Sequence, residues 1–156
     1  RRIQTLLGPR DGSSLSEAVL PVVREVAKRF DATLHLFHAV SPMPFALSEL
    51  EGANVRAHLR TAERQDAQAH LDTVAHDLEQ DGLTVQVTLG DGFAADAILL
   101  AASDKEADLI AMATHARMGL RRTLLGSVTD RVVRAGELPV LIVRPQEGEE
   151  GIADGR

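Results

Sequence analysis

Short apolar runs recur along the chain and predict the strands of a sheet. Residues 3–9, 33–40, 108–113 and 139–143 are apolar enough to form buried strands. Residues 83–89 instead alternate apolar and polar side chains, which is typical of a strand with one polar face at the edge of a sheet. The pattern therefore predicts five strands, with the third at an edge.

Helical spacing separates these runs. Apolar residues from Leu15 to Phe30 recur at intervals of three and four, and Ser14 with Glu17 matches a capping box that would start a helix. Pro21 lies inside this predicted helix, where a proline costs up to about 3 kcal/mol or kinks the helix. Further helices are predicted at residues 55–80, 95–102 and 127–135.

Strands that alternate with helices predict an α/β domain with a parallel sheet and helices on both faces. Sheets of this kind bind ligands beyond the carboxyl ends of their strands, where the strand order reverses. We therefore expect functional residues in the connections that follow the strands, at 9–14, 40–44, 90–93 and 114–127.

Composition narrows the class of protein. The chain has 156 residues, no cysteine and a net charge of −6, which excludes disulfides and thiolate metal sites and argues against nucleic acid as a partner. No apolar run approaches the roughly 18 residues of a membrane span. Neither is there a signal peptide at the start. We expect a cytoplasmic protein that does not associate with membranes.

The connection from Ala113 to Ser127 is the most informative segment. It carries three arginines in a chain of net negative charge, and it ends with Gly126-Ser127 at the predicted start of a helix. Free backbone N–H groups and the helix dipole suit a phosphate at such a position. Ser127 and Asp130 also match a capping box, so this serine can serve the helix, a phosphate, or both.

Two other connections carry candidate chemistry. Asp11 follows the first strand, where its carboxylate can accept hydrogen bonds from an amino group or a ribose hydroxyl, or form a turn with Gly12. Residues 90–95 match the dinucleotide fingerprint G-x-G-x-x-A. That fingerprint belongs to the first strand–helix turn and needs an acidic residue at the end of the next strand, which is missing here. A tight turn with close helix packing is the better interpretation of residues 90–95.

Several of these segments together resemble the universal stress protein family over residues 2–144. The segments that match are Asp11-Gly12-Ser13, the A-V-L-P of residues 18–21, residues 112–133, and the P-V-L-I-V-R of residues 139–144. The nucleotide-binding branch of that family has the signature G-x-x-G-x9-G-S/T. Gly126-Ser127 match its end, whereas Ala113 and Ala116 stand at its first two glycines.

The resemblance implies a single flavodoxin-like, Rossmann-like domain over residues 1–145 with strand order 3-2-1-4-5. The acidic, glycine-rich composition of residues 146–156 predicts a disordered tail. The resemblance further implies an adenine-nucleotide-binding regulatory protein of the stress response, with AMP or ATP (and accompanying Mg²⁺) as the ligand. Asp11 and the backbone at Ala39 would flank the adenine and ribose. The other candidate binding residues are Pro9, Met112, Ala113, Ala116, Gly126, Ser127 and Val128.

Other hypotheses stay open beside this one. The two alanines favour a dimeric signalling or interaction module of the same fold that binds no nucleotide. The residues show no catalytic base or nucleophile and no metal-ligand spacing among the six histidines, so an enzyme would be at most a slow ATPase. The apolar last strand, from Pro139 to Val143, predicts a homodimer through an edge of the sheet. An unidentified regulatory protein is the other expected partner.

Overall fold

The computed structural model describes residues 3–9, 18–40, 52–113 and 126–144. Strands and helices alternate along these segments, as the apolar pattern predicts. In chain order the elements are β1 (Thr5–Pro9), α1 (Leu20–Phe30), β2 (Thr33–Val40), α2 (Ala53–Gln80), β3 (Thr84–Asp91), α3 (Ala94–Asp104), β4 (Leu109–Ala113), α4 (Ser127–Ala135) and β5 (Val140–Val143).

The strands form one parallel sheet with the order β3-β2-β1-β4-β5. This confirms the flavodoxin-like fold and the edge position of the third strand, and it leaves β5 at the opposite edge. The chain passes from β1 to β2 on one side and later reaches β4 on the other. The strand order therefore reverses between β1 and β4, which is where open α/β sheets bind ligands.

Successive residues of the central strands bury opposite faces of the sheet, as the period of two requires. Leu6 and Leu34 pack with α1 and α2 on one face, whereas Leu7 and Phe37 pack with α3 and α4 on the other. All four of these side chains are almost completely buried. Two apolar layers of comparable size thus hold the sheet, and the carboxyl ends of the strands emerge between them.

The first predicted helix, over residues 15–30, is helical only from Leu20 within the described residues. α1 begins at Leu20, after a turn at residues 18–19, and Pro21 therefore lies in its first turn. A proline is tolerated there because its missing N–H would have no partner within the helix. The expected conflict at Pro21 disappears, and the capping box of Ser14 and Glu17 lies outside the described residues.

Asp108 anchors the central pair of strands at their amino ends. Its Oδ2 accepts hydrogen bonds from the backbone N–H groups of Gln4 and Thr5, at 2.9 and 3.0 Å. The same residue donates its own N–H to the carbonyl of Thr5 at 2.8 Å. These contacts join the entries to β1 and β4, whose carboxyl ends flank the point where the strand order reverses.

Candidate functional site

The predicted site residues fall at the carboxyl edge of the sheet. Pro9 and Ala113 are the last residues of the adjacent strands β1 and β4, and both are half-buried. Asp11 and Ala116 lie outside the described residues, as do the three arginines of the connection. The structure therefore brings Pro9, Ala113 and the start of α4 to one end of the fold.

β2 extends farther at this edge than its neighbour β1. The last pair between the two strands is Pro9 with Phe37, whereas β2 continues to Val40. Ala39 thus lies two residues beyond that pair, and its side chain is half-buried at the border of the apolar layer under α3 and α4. The peptide groups at Ala39 stand past the end of β1, beside the point of reversal.

Met112 and Ala113 have different surroundings. Met112 is only 7% exposed and packs within the α3 and α4 layer, whereas Ala113 lies against the α1 and α2 layer. Ala113 continues strand β4 and is not among the described residues with positive φ. Its backbone therefore needs no glycine, and no left-handed strain opposes a ligand at this position.

The start of α4 is organised by glycine rather than by serine. Gly126 is the N-cap, with extended backbone angles (φ −55°, ψ 157°) and no side-chain hydrogen bond to the helix. The capping box predicted for Ser127 and Asp130 is wrong, because Ser127 is already the first helical residue. The first backbone N–H groups of α4 have no partner within the helix. Ser127 is exposed beside them.

Asp130, in the first turn of α4, instead pairs with Arg134. Arg134 Nε donates to Asp130 Oδ2 at 2.8 Å. A neighbouring carboxylate, Asp96 of α3, pairs with Arg131 of α4 at 2.8 Å between Oδ1 and Nη2. These two carboxylates near the start of α4 thus each face a guanidinium, although the exposed pairs are screened by solvent. The paired carboxylates leave the helix dipole less opposed in attracting an anion.

A second cluster lies at the end of β3. Asp91, its last residue, accepts hydrogen bonds from Arg64 and, at 3.4 Å, from Arg60. Both arginines lie on α2, one turn apart. Sequence reasoning did not identify this cluster, although the spacing of four residues on a predicted helix already puts the two guanidinium groups on one face. Two cations against one carboxylate add positive charge to the carboxyl edge.

Gly90, the first glycine of the connection from β3 to α3, leaves no open space for a ligand. A Cβ built on Gly90 would lie 2.6 Å from Cζ of Phe37, so the glycine is needed to admit that ring. Gly92 has a φ of +112°, and its N–H donates to the carbonyl of Val40 at 3.2 Å. The G-x-G-x-x-A pattern is therefore a tight turn with close packing, as predicted.

His35 is a buried histidine whose pKa is lowered. It is 6% exposed on β2, and its Nδ1 has no hydrogen-bond partner within the described part of the chain. Burial, with a smaller contribution from the charge of Lys105, lowers the pKa of this imidazole below 6.5. Across the described segments there is no cluster of three metal-ligating side chains, and no helix is long and apolar enough to cross a bilayer.

Proteins similar to this chain in sequence and in fold include universal stress proteins. The model of the universal stress protein family matches residues 2–144. Universal stress protein MJ0531 of Methanocaldococcus jannaschii is 34% identical over 142 residues, which cover 90% of this chain and 82% of that protein. Protein MJ0577 of the same organism has a solved structure with a TM-score of 0.78 at 24% identity, covering 94% of this chain and 99% of that one.

Two solved relatives hold nucleotides. A universal stress protein in complex with cAMP has a TM-score of 0.60 and 25% identity, covering 92% of this chain and 98% of that one. The universal stress protein from Archaeoglobus fulgidus in complex with dAMP has a TM-score of 0.64, covers 90% of this chain and 96% of that one, and at 16% identity supports the fold alone. The match of the family model and the 34% identity to a curated relative show that this chain belongs to the universal stress protein family.

Proposed function

We propose that this protein binds an adenine nucleotide at the carboxyl edge of its sheet and acts as a regulatory protein of the stress response in the cytoplasm. The phosphates bind the first turn of α4, at Gly126, Ser127 and Val128. Ala113 and Ala116 also lie around the phosphates, the base and ribose lie toward Ala39 and Asp11, and Pro9 and Met112 complete the site. AMP and ATP with Mg²⁺ are the candidate ligands.

The start of α4 is the observation that carries this proposal. Gly126 adds no side chain over the N-terminal amides, and no described side chain caps them. An open helix start of this kind favours a phosphate through its amides and its dipole. It lies beside the reversal of strand order, and the carboxylates Asp96 and Asp130 are each paired with an arginine.

Two further observations support the proposal. The relative bound to cAMP has the same fold at 25% identity, so a protein of this fold can hold an adenine nucleotide. Ala113 has an ordinary strand backbone, which removes one of the two reasons for an interaction module without nucleotide. Ala116, at the second glycine of the signature, is the remaining reason. An interaction module that binds no nucleotide is therefore the alternative outcome of the test.

The test is a search for ligand in the purified protein. Protein that is heated to release bound molecules should yield AMP or ATP by mass spectrometry. Ligand-free protein should then bind ATP with Mg²⁺, or AMP, in a calorimetric titration up to millimolar concentration. A chain that releases no nucleotide and gives no heat with either ligand would instead be the interaction module.

We propose in addition that the protein is a homodimer through β5. This strand is at an edge of the sheet, and its four residues are all apolar and only half-buried. Pairing with a second copy would satisfy its free edge and cover those side chains. Light scattering should report about twice 16.8 kDa.

Ile142→Lys tests the same interface, because Ile142 is half-buried and belongs to neither apolar layer. The variant should shift the protein toward monomer while its circular dichroism spectrum stays unchanged. A wild-type protein that is monomeric at high concentration contradicts the dimer.

A further inference from the structure

Phe93 is an apolar side chain that the fold does not use. It is 70% exposed, more than any other large apolar side chain in the described residues. It is the N-cap of α3, where it makes no side-chain hydrogen bond and where Ser, Asp or Asn would stabilise the helix better. Neither burial nor capping therefore accounts for a phenylalanine at this position.

The turn that carries Phe93 is joined to the end of β2. The preceding residue, Gly92, donates its N–H to the carbonyl of Val40. α3 packs over β2 and β3, and Ala39 lies at the border of the apolar layer beneath this helix. Phe93 is thus at the carboxyl edge of the sheet, on the face to which the side chain of Ala39 belongs.

Phe93 also lies beside the start of α4. The helices α3 and α4 connect strands of one parallel sheet on the same face, so they run side by side in the same direction. Asp96 of α3 contacts Arg131 of α4. Phe93 and Val128 each lie three residues before one member of this pair, so they stand at the adjacent starts of two helices whose axes are typically about 8–10 Å apart.

This position has a specific chemistry. An exposed aromatic ring offers its face to a planar base, and such stacking adds affinity without a hydrogen bond. The sequence contains only four phenylalanines and no tryptophan or tyrosine, so aromatic rings are scarce in this chain. A mononucleotide with its phosphate on the first turn of α4 has its base within reach of the space between Phe93 and Ala39.

We infer that Phe93 stacks on the base of the bound nucleotide and contributes its selectivity for a nucleotide over a bare phosphate. This inference rests on the nucleotide site proposed above. It adds a residue from the β3–α3 turn to that site.

Calorimetric titrations with ATP and with inorganic pyrophosphate test the inference, because pyrophosphate has the phosphates without the base. Phe93→Ala should weaken ATP binding roughly tenfold and leave pyrophosphate binding unchanged. Phe93→Tyr should keep the affinity for ATP. Leu100→Ala is the matched control: Leu100 is 63% exposed, two turns along the same face of α3, and its loss should change neither titration.

A second readout uses fluorescence. Since the chain has no tryptophan, Phe93→Trp introduces a single indole at the proposed stacking position. ATP should quench its emission, and pyrophosphate should not. Equal ATP affinity in the wild type and Phe93→Ala overturns the inference but leaves the proposed nucleotide site intact. The same holds if Phe93→Ala weakens the binding of ATP and of pyrophosphate equally. A wild type that binds neither ligand overturns the proposed function and this inference with it.

Discussion

Two glycine-bearing helix starts lie side by side on one face of this protein, and they use glycine for different reasons. At the start of α3, Gly90 leaves room for the ring of Phe37, which lies where a Cβ would be. At the start of α4, Gly126 is itself the N-cap and adds no side chain over the first amides. Similar sequence patterns thus produce a packed turn in one place and an open helix start in the other. The role of each glycine depends on whether a residue from elsewhere in the chain packs against it.

The largest expected effect is a loss of folding stability when Gly90 is replaced by alanine. Gly90→Ala puts a methyl group 2.6 Å from Cζ of Phe37, so we expect a loss of about 1–3 kcal/mol in the free energy of unfolding. Denaturant unfolding measures the loss. Phe37→Leu makes room for the methyl group, and the double variant should lose less than the sum of the two single variants. Additive losses would contradict the contact.

Acid should lower the stability of the protein through His35, which lies on the side of the sheet that α3 covers. His35 shares a strand and a face with Phe37, and burial, then the charge of Lys105, lowers its pKa below 6.5. The unfolded chain therefore binds a proton that the folded chain refuses. Stability should be highest above pH 6.5 and fall as the pH drops toward the lowered pKa, by less than the Gly90→Ala loss.

His35→Gln removes the titrating group, and the decline assigned to it below pH 6.5 should disappear from a series of unfolding curves. His38, half-buried on the same strand, provides the control through His38→Gln. An unchanged pH profile in His35→Gln would show that other groups cause the acid sensitivity.

The ion pair between the two helix starts should matter less. Asp96 and Arg131 are both more than half exposed, so Asp96→Asn should cost at most about 0.5 kcal/mol in low salt and nothing measurable in high salt. Thermal unfolding at two ionic strengths measures it. A loss that persists in high salt would show that the pair holds α3 and α4 together by more than charge.

The smallest expected effect concerns Ala113. Because this residue has an ordinary strand backbone, Ala113→Gly relieves no strain and should change nucleotide affinity by less than about twofold. Titration with ATP measures the change. A tenfold gain would mean that the methyl group at this position obstructs the ligand, and that the glycine of the family signature serves to admit it.

Local patterns predicted most of the framework, because each strand carries its own apolar signal. β2 has the predicted boundaries, and β4 begins one residue later than predicted. The continuous helix expected from Leu15 is interrupted by a turn at residues 18–19, because apolar spacing alone does not reveal a turn. Strand order came from the family resemblance, because no local pattern encodes which strands become neighbours.

The site was harder to predict because its properties depend on distant contacts. The requirement for glycine at position 90 comes from the ring of Phe37, which is 53 positions away in sequence. Arg60 and Arg64 likewise contact Asp91, at the end of β3, from helix α2. Gly126-Ser127 was singled out as a candidate because the free amides of a helix start follow from local sequence. Its capping was misassigned, since the sequence does not show which of the two residues has the extended backbone.

The most direct test of the central claim is a titration of the wild type, Gly126→Asn and Gly126→Asp with ATP and Mg²⁺. Aspartate and asparagine are both favourable N-caps, so both variants should unfold at or slightly above the wild-type temperature. They differ in charge, because the aspartate sets a carboxylate where the phosphate binds. We predict that the wild type binds ATP, that Gly126→Asn binds it more weakly, and that Gly126→Asp does not bind it. Equal binding by all three proteins, or none by the wild type, would contradict a nucleotide site at the start of α4.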